Sequence, residues 1–182
     1  MHCPKSRIWS TPIPFTPFHF GPGVLVKACG FERFWLTSFV LANILIDAEA
    51  LYWLSRAEPP IHRHLHTYVG GFAAGLVAGL LMFGISQVAG RVIPARWQWI
   101  ESLPPTPRRI LIFESLVAGV IGGISHIVLD SFMHHDMNPF WPFSEGNALA
   151  GRIGVGVLHI GLAISGFLGV TAWLFLRGSK QN

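Results

Sequence analysis

The sequence predicts an all-α integral membrane protein, a bundle of about four transmembrane helices with a short additional helix near the N-terminus. Of its 182 residues, 51% are hydrophobic and only 12% are charged, whereas soluble domains usually contain about 25% charged residues. Four apolar runs are each long enough to cross a bilayer core, which requires about 20 helical residues. A chain of this length is typical of one domain, so we expect residues 1–182 to form a single membrane domain.

The N-terminal region is predicted to contain no complete transmembrane helix. Residues 1–18 are rich in proline and should form an irregular arm, without the uninterrupted apolar core of a cleavable signal peptide. Residues 19–31 are apolar but too short to cross the bilayer. This segment therefore favours a half-membrane, re-entrant or interfacial helix that is entered through the Gly21-Pro22-Gly23 turn.

The four transmembrane spans follow from the remaining apolar runs. They are expected at about residues 34–55, 67–90, 110–133 and 148–176. The second span is rich in glycine and alanine, which let membrane helices approach closely, so it should lie centrally in the bundle. Residues 91–109 contain arginines, prolines and two tryptophans, a composition typical of a loop at the membrane surface.

The basic residues predict the orientation of these spans. Ten of the thirteen Lys and Arg residues fall on one side, which is therefore the cytoplasmic side. They are Lys5, Arg7, Lys27, Arg33, Arg91, Arg96, Arg108, Arg109, Arg177 and Lys180. The chain before the first span is placed on this side too. The end of the first span, the start of the second and the end of the third then face the extracytoplasmic side.

The end of the third span carries the most informative pattern. On a helix, His126, Asp130 and His134 would lie at positions i, i+4 and i+8 along one face. Ionisable groups at the end of an apolar segment are energetically costly without partners. A metal ion is the simplest partner for two imidazoles and a carboxylate. A polar helix end that enters a loop is the alternative.

Ionisable side chains from two other segments are predicted to lie at the same depth in the membrane as those at the end of the third span. At a rise of about 1.5 Å per residue, Asp47 lies about 20 Å above the cytoplasmic end of the first span, and His126 about 24 Å above that of the third. His62 and His66 repeat the i, i+4 spacing at the start of the second span. Metal sites in helix bundles are assembled from several helices in this way, so we expect these residues to share one site.

The candidate donors are numerous enough for two divalent ions. They are Asp47, Glu49, His62, His66, His126, Asp130 and His134. Zinc is the expected metal, with manganese as the alternative. Asp47 and Glu49 point about 200° apart on a regular helix, so one of them could instead orient a ligand histidine. His19 would join the metal ligands if the short N-terminal helix is re-entrant, although the basic arm before it argues against this.

Five motifs carry these donors and their neighbours. They are Phe18-His19-Phe20-Gly21-Pro22-Gly23, Asp47-x-Glu49, His62-Arg63-x-x-His66-Thr67, His126-x-x-x-Asp130-Ser131-x-x-His134-x-Asp136 and Pro139-Phe140-x-Pro142-Phe143-Ser144. In this order they resemble a family of membrane-bound metal-dependent hydrolases related to the LexA-regulated inner-membrane hydrolases. Many relatives have Pro-Asp-x-Asp where this chain has Ile46-Asp47-Ala48-Glu49.

The resemblance implies a multi-pass protein of the bacterial inner membrane with a divalent-metal site and hydrolase activity. Metal-activated water would attack an ester or phosphoester on the extracytoplasmic side, with Glu49 or Asp136 as the general base. The family likeness does not name a substrate. The depth of the site makes a lipid head group a natural candidate, so membrane lipid is the expected partner.

Two other functions fit the same residues. A non-catalytic divalent metal or proton transporter would use the same His and Asp side chains, but it needs an aqueous path to the cytoplasm, where Glu114 is the acidic residue near that end. In an interaction-only protein the polar groups would bond to one another, and stoichiometric metal would be absent. Nucleic acid binding is not expected, because the arginines lie in loops rather than in a patch interleaved with aromatic residues.

Overall fold

A computed structural model describes residues 17–30, 33–92 and 107–179 of the chain. Within these ranges a short 3-10 turn, Pro17–Phe20, precedes five α-helices, and there is no strand. The helices are α1, Gly21–Ala28; α2, Leu36–Ser55; α3, Tyr68–Val92; α4, Arg108–Met133; and α5, Val155–Ser179. Of these, α2, α3, α4 and α5 are long and apolar enough to cross a membrane. The predicted all-α membrane bundle is confirmed, while most of the predicted surface loop 91–109 lies outside the described residues.

The fourth membrane helix begins later than predicted, at Val155 rather than near residue 148. The segment before it forms turns that close over the end of α4. The side-chain amide of Asn147 donates to the carbonyl oxygens of Ser131 and His134, at 2.8 and 2.9 Å. These bonds satisfy carbonyl groups that the end of a helix leaves without partners. The segment that contains Asn147 is thus held in turns against the end of α4, and α5 begins only at Val155.

Glycines let α3 and α4 approach each other at backbone distance. A Cβ atom added at Gly75 would lie 2.6 Å from the carbonyl oxygen of Gly119, and one added at Gly123 would overlap the carbonyl oxygen of Gly71. Small residues at such crossings allow close packing of membrane helices. The second span, which the sequence predicts to be central, is α3, and it contacts both α2 and α4.

Replacing Gly123 by alanine is expected to lower the stability of the bundle. The added methyl group would overlap the backbone of α3, and overpacking of this kind typically costs about 1–3 kcal/mol. We expect the midpoint of thermal unfolding in detergent, followed by circular dichroism, to fall by roughly 3–10 °C. Gly84→Ala on α3 is the matched control, because a Cβ atom there meets nothing within 4 Å. Equal midpoints for the two variants would contradict the close contact.

The short helix α1 joins α5 to the rest of the bundle. Gly21 packs against Leu162, and Leu25 packs against Gly169, so α1 runs beside α5 in the same direction. Its eight residues cover about 12 Å, the length of a half-membrane helix. It starts at the end of the bundle where α2 and α4 finish and where α3 and α5 begin, which we name the site end.

The predicted topology placed the chain before the first span at the end of the bundle opposite the site. The structure instead places the residues just before α1 at the site end. The side chain of His19, in the turn before α1, contacts Asp130 near the end of α4. Residues 17–20 therefore lie at the site end. Lys5 and Arg7, on which the opposite placement depends, lie outside the described residues.

Candidate metal centre

Four buried side chains of metal-ligand type meet at the site end. They are Asp47, His66, His126 and Asp130, and each offers one atom within 4.8 Å of the others. Asp47 comes from α2, His126 and Asp130 come from α4, and His66 comes from the turn before α3. We call these four residues the inner group.

A second set of three side chains, which we call the outer group, adjoins the first. It consists of His62, His134 and Asp136, whose potential ligand atoms also lie within 4.8 Å of one another. The ring centroids of His62 and His66 are 4.7 Å apart, so the two groups are in contact. The side chain of Asp136 is 38% exposed, whereas every member of the inner group is buried. The outer group therefore lies between the inner group and solvent.

The donor atoms of the inner group face one another without hydrogen bonds. His126 Nε2 lies 3.1 Å from Asp130 Oδ2 and 3.5 Å from Asp47 Oδ1, and His66 Nε2 lies 3.7 Å from Asp130 Oδ2. All four atoms are buried, and none has a hydrogen-bond partner. Buried polar atoms are normally satisfied, and leaving them unsatisfied costs free energy. A cation among these atoms would supply the missing partner for each of them.

Carboxylates anchor two histidines in the turn before α3. In each histidine the carboxylate binds Nδ1, the ring nitrogen that faces away from the inner group. His66 Nδ1 donates to Glu49 at 3.2 Å, and His62 Nδ1 donates to Asp136 at 2.8 Å. Metal-binding histidines usually donate their second N–H to a carboxylate or carbonyl group, which orients the other nitrogen toward the metal. Here that other nitrogen, Nε2, is buried in both residues and has no hydrogen-bond partner.

Glu49 fastens the turn that carries His66. Its carboxylate also accepts the backbone N–H groups of His64 and Leu65, at 3.0 and 2.8 Å. The helix α2 runs without interruption through this region, so Asp47 faces the inner group while Glu49 faces the turn. The two carboxylates therefore have different contacts, and the predicted role of Glu49 as a general base stays a prediction.

His19 lies directly beside the inner group. Its Nε2 atom is 3.0 Å from Asp130 Oδ1, and its ring stacks on that of His126 with centroids 4.5 Å apart. The residue is 1% exposed. The turn before α1 thus brings His19 to the candidate ligands, which is one of the two placements that the sequence leaves open.

The helical positions predicted for three of the histidines are corrected by the structure. The helix α4 ends at Met133, and His134 has an extended backbone, with φ −116° and ψ 119°. Its ring therefore leaves the face that carries His126 and packs against His62, with centroids 4.1 Å apart. His62 and His66 lie in the turn before α3 rather than on a helix. Side-chain hydrogen bonds stabilise the irregular backbone at His134, whose carbonyl oxygen accepts from Asn147, and beside His66, where Glu49 accepts the N–H of Leu65.

Asn43 is a site residue that the sequence patterns do not single out. It is fully buried on α2, four residues before Asp47. Its Oδ1 atom lies 3.0 Å from His126 Nδ1. Because residues four apart share a helix face, the spacing from Asp47 is the signal that could have identified it. His64 and His135 are exposed and belong to neither group.

Three candidate ligands lie outside the membrane-spanning helices, and their pKa values favour the protonation states in which side chains bind metal. Burial lowers the pKa of His66 and of His134 to about 4, and for His66 the hydrogen bond to Glu49 opposes part of this shift. Burial would raise the pKa of Asp136, but its hydrogen bond with His62 brings the pKa down to about 2. At neutral pH these imidazoles are neutral and this carboxylate is ionised, as metal ligands must be.

The inner group has the composition of a divalent-metal site. Two imidazole nitrogens and two carboxylate oxygens suit zinc and also manganese, and the two carboxylates offset the charge of a divalent ion. Ligand atoms lie about 2 Å from a zinc ion. In tetrahedral geometry such atoms are about 3.3 Å apart, so atoms that lie within 4.8 Å of one another would have to draw closer to bind one ion.

Comparisons of the chain with models of protein families, with curated proteins and with solved structures gave no match. The chain is therefore described by its own structure. It is a helical bundle with four candidate membrane spans and a buried His/Asp cluster that could hold a divalent metal ion.

Proposed function

We propose that this protein is a membrane-bound metal-dependent hydrolase that cleaves an ester or phosphoester at the site end. The observation that carries the proposal is the inner group, in which the buried Nε2 atoms of His66 and His126 and the carboxylate oxygens of Asp47 and Asp130 face one another without hydrogen bonds. A divalent ion, when bound, supplies Lewis acidity that lowers the pKa of water toward about 7 and polarises the substrate. The resemblance of the motifs to membrane-bound hydrolases supports the same activity.

The two groups have different roles in this proposal. The inner group, with His19 beside it, would hold one ion, and His62 and His134 would contribute to a second. Zinc is the proposed metal. Asp136 reaches solvent, so water and substrate would approach from its side, and its ionised carboxylate would orient the attacking water there. Glu49 already accepts three N–H groups, so we assign it the task of holding His66 in place.

The location of the site suggests the substrate class. The groups lie where four candidate spans begin or end, which is the level of lipid head groups if the bundle is embedded in a bilayer. We propose that this end faces the extracytoplasmic side of a bacterial inner membrane, because most basic residues next to the four spans, such as Arg91, Arg108 and Arg177, fall toward the opposite end. We therefore propose a lipid head group or a similar ester at the outer membrane surface as the substrate.

Metal removal tests the proposal. Detergent-purified protein is expected to contain close to two zinc or manganese ions per chain by elemental analysis, and to hydrolyse phospholipid or generic phosphoester substrates. Stripping with a chelator should abolish hydrolysis, and adding Zn²⁺ back should restore it. His126→Ala should behave like the stripped protein, whereas His64→Ala, an exposed histidine from the same region, should behave like the wild type.

The outcomes separate the three functions considered. Stoichiometric metal with hydrolysis that depends on it supports the hydrolase. Metal bound by the wild type but lost in His126→Ala, without hydrolysis of any substrate, would favour a transporter. Protein that contains no stoichiometric metal and takes none up would overturn both and leave an interaction-only role.

A further inference from the structure

We infer that Asn43 is a positioning residue that fixes which ring nitrogen of His126 is available to a metal ion. This inference rests on the proposed metal centre. Asn43 is fully buried, and it lies on the face of α2 that packs against α4. Its Oδ1 atom is 3.0 Å from His126 Nδ1, and its Nδ2 atom is 2.8 Å from the carbonyl oxygen of Phe39.

The carbonyl oxygen of Phe39 decides the orientation of the Asn43 amide. A carbonyl oxygen can only accept, so it must face the amide NH₂ group. In the flipped orientation the amide oxygen would point at this carbonyl, and two acceptors would repel each other. Oδ1 therefore faces His126, and His126 Nδ1 must donate a hydrogen to it.

This assignment also determines whether the second ring nitrogen of His126, Nε2, carries a hydrogen or a lone pair. In a neutral imidazole one nitrogen carries hydrogen and the other has a free lone pair. With Nδ1 donating to Asn43, the lone pair is on Nε2, the atom that lies 3.1 Å from Asp130 and 3.5 Å from Asp47. The hydrogen bond thus presents the correct nitrogen to the inner group before any ion arrives.

A neutral amide suits this position better than a carboxylate. His62 and His66 are held by carboxylates near the surface of the site, but His126 already lies within 3.5 Å of two carboxylates. A further negative charge at this depth would carry a desolvation cost and would repel the other two. An asparagine orients the ring without adding charge.

Binding of Co²⁺ and Zn²⁺ to variants of the full chain tests the inference. Asn43→Leu keeps the side-chain volume but removes the acceptor, so we expect metal affinity, measured by chelator competition, to fall by roughly 10- to 100-fold. Asn43→Asp keeps an acceptor for Nδ1, so we expect it to bind metal more tightly than Asn43→Leu, while the added buried charge lowers its midpoint of thermal unfolding. Ser38→Ala is the control, because Ser38 is buried on the same helix but bonds to Ser115 instead. It should bind metal like the wild type.

A second measurement judges the inference even if the leucine variant fails to fold. In wild-type protein labelled with ¹⁵N-histidine, the His126 signals, identified by their loss in His126→Ala, should show a hydrogen on Nδ1 both before and after Zn²⁺ is added. An Nδ1 atom without hydrogen, or equal metal affinity in a folded Asn43→Leu variant, would overturn the role of Asn43. If the wild type binds neither Co²⁺ nor Zn²⁺, the proposed function fails instead, and the ¹⁵N pattern still decides the orientation of His126.

Discussion

Asp130→Asn is expected to abolish stoichiometric metal binding. The carboxylate of Asp130 lies 3.0–3.7 Å from the Nε2 atoms of His19, His66 and His126, more such contacts than Asp47 makes. Asparagine has nearly the same shape but no charge and only one acceptor oxygen. We expect the affinity for Zn²⁺ to fall by about 100-fold or more, beyond the effect of losing an orienting partner. Elemental analysis and chelator competition measure this, and hydrolysis should fall to the level without protein.

The stability of the metal-free protein separates a metal site from a network of buried ion pairs. If protonated histidines were the natural partners of Asp130, its removal would leave uncompensated buried charge and cost about 3–5 kcal/mol. If a metal is the partner, the metal-free wild type carries carboxylates without a cation. The variant should then unfold at the same or a higher temperature than the metal-free wild type. A much lower midpoint, with no metal in either protein, would contradict the metal centre.

Glu49→Gln is expected to weaken Zn²⁺ binding by roughly 10- to 100-fold. The glutamate accepts N–H groups from His64, Leu65 and His66, and a glutamine would turn an NH₂ group toward at least one of these donors. The turn that holds His66 would then loosen, and the Nε2 atom would leave the inner group. Chelator competition gives the affinity, and hydrolysis at saturating Zn²⁺ shows how much activity the added metal restores.

This variant also separates the two roles considered for Glu49. A positioning residue affects metal affinity, and added metal should restore much of the activity. A general base would leave affinity unchanged while hydrolysis stays lost at any metal concentration, and that result would refute the positioning role. Glu58→Gln serves as the control, because Glu58 is exposed between α2 and α3 and bonds only weakly to Arg56, at 3.5 Å. Its affinity and activity should match those of the wild type.

The helices were predictable because the signal for a membrane span is carried by one continuous segment. A run of about 20 apolar residues must satisfy its own backbone in a bilayer, and a helix achieves this wherever the run occurs. Helix ends depend on other contacts. The start of α5 at Val155 and the extended backbone of His134 both accompany hydrogen bonds from Asn147 near the end of α4. No local pattern of apolar residues contains that information.

The candidate site was predictable as a set of residue types rather than as an arrangement. Ionisable residues in an apolar chain are few, so Asp47, His126 and Asp130 stand out without knowledge of the fold. The sequence left undecided whether His19 reaches them, because its position depends on how α1 packs against α5. It also gave no reason to separate His134 from His126, since the separation results from the end of α4.

The amino-acid sequence alone therefore determined the membrane-spanning class and the chemical identity of the donors, because hydropathy and side-chain chemistry are local properties. Only the tertiary structure decided which donors lie together in one buried group and which ones orient their neighbours. Asp47 and Glu49 show the difference: two residues apart on one helix, they face the inner group and the turn before α3. Hydrogen bonds between distant segments determine these roles, and such bonds exist only once the helices have packed.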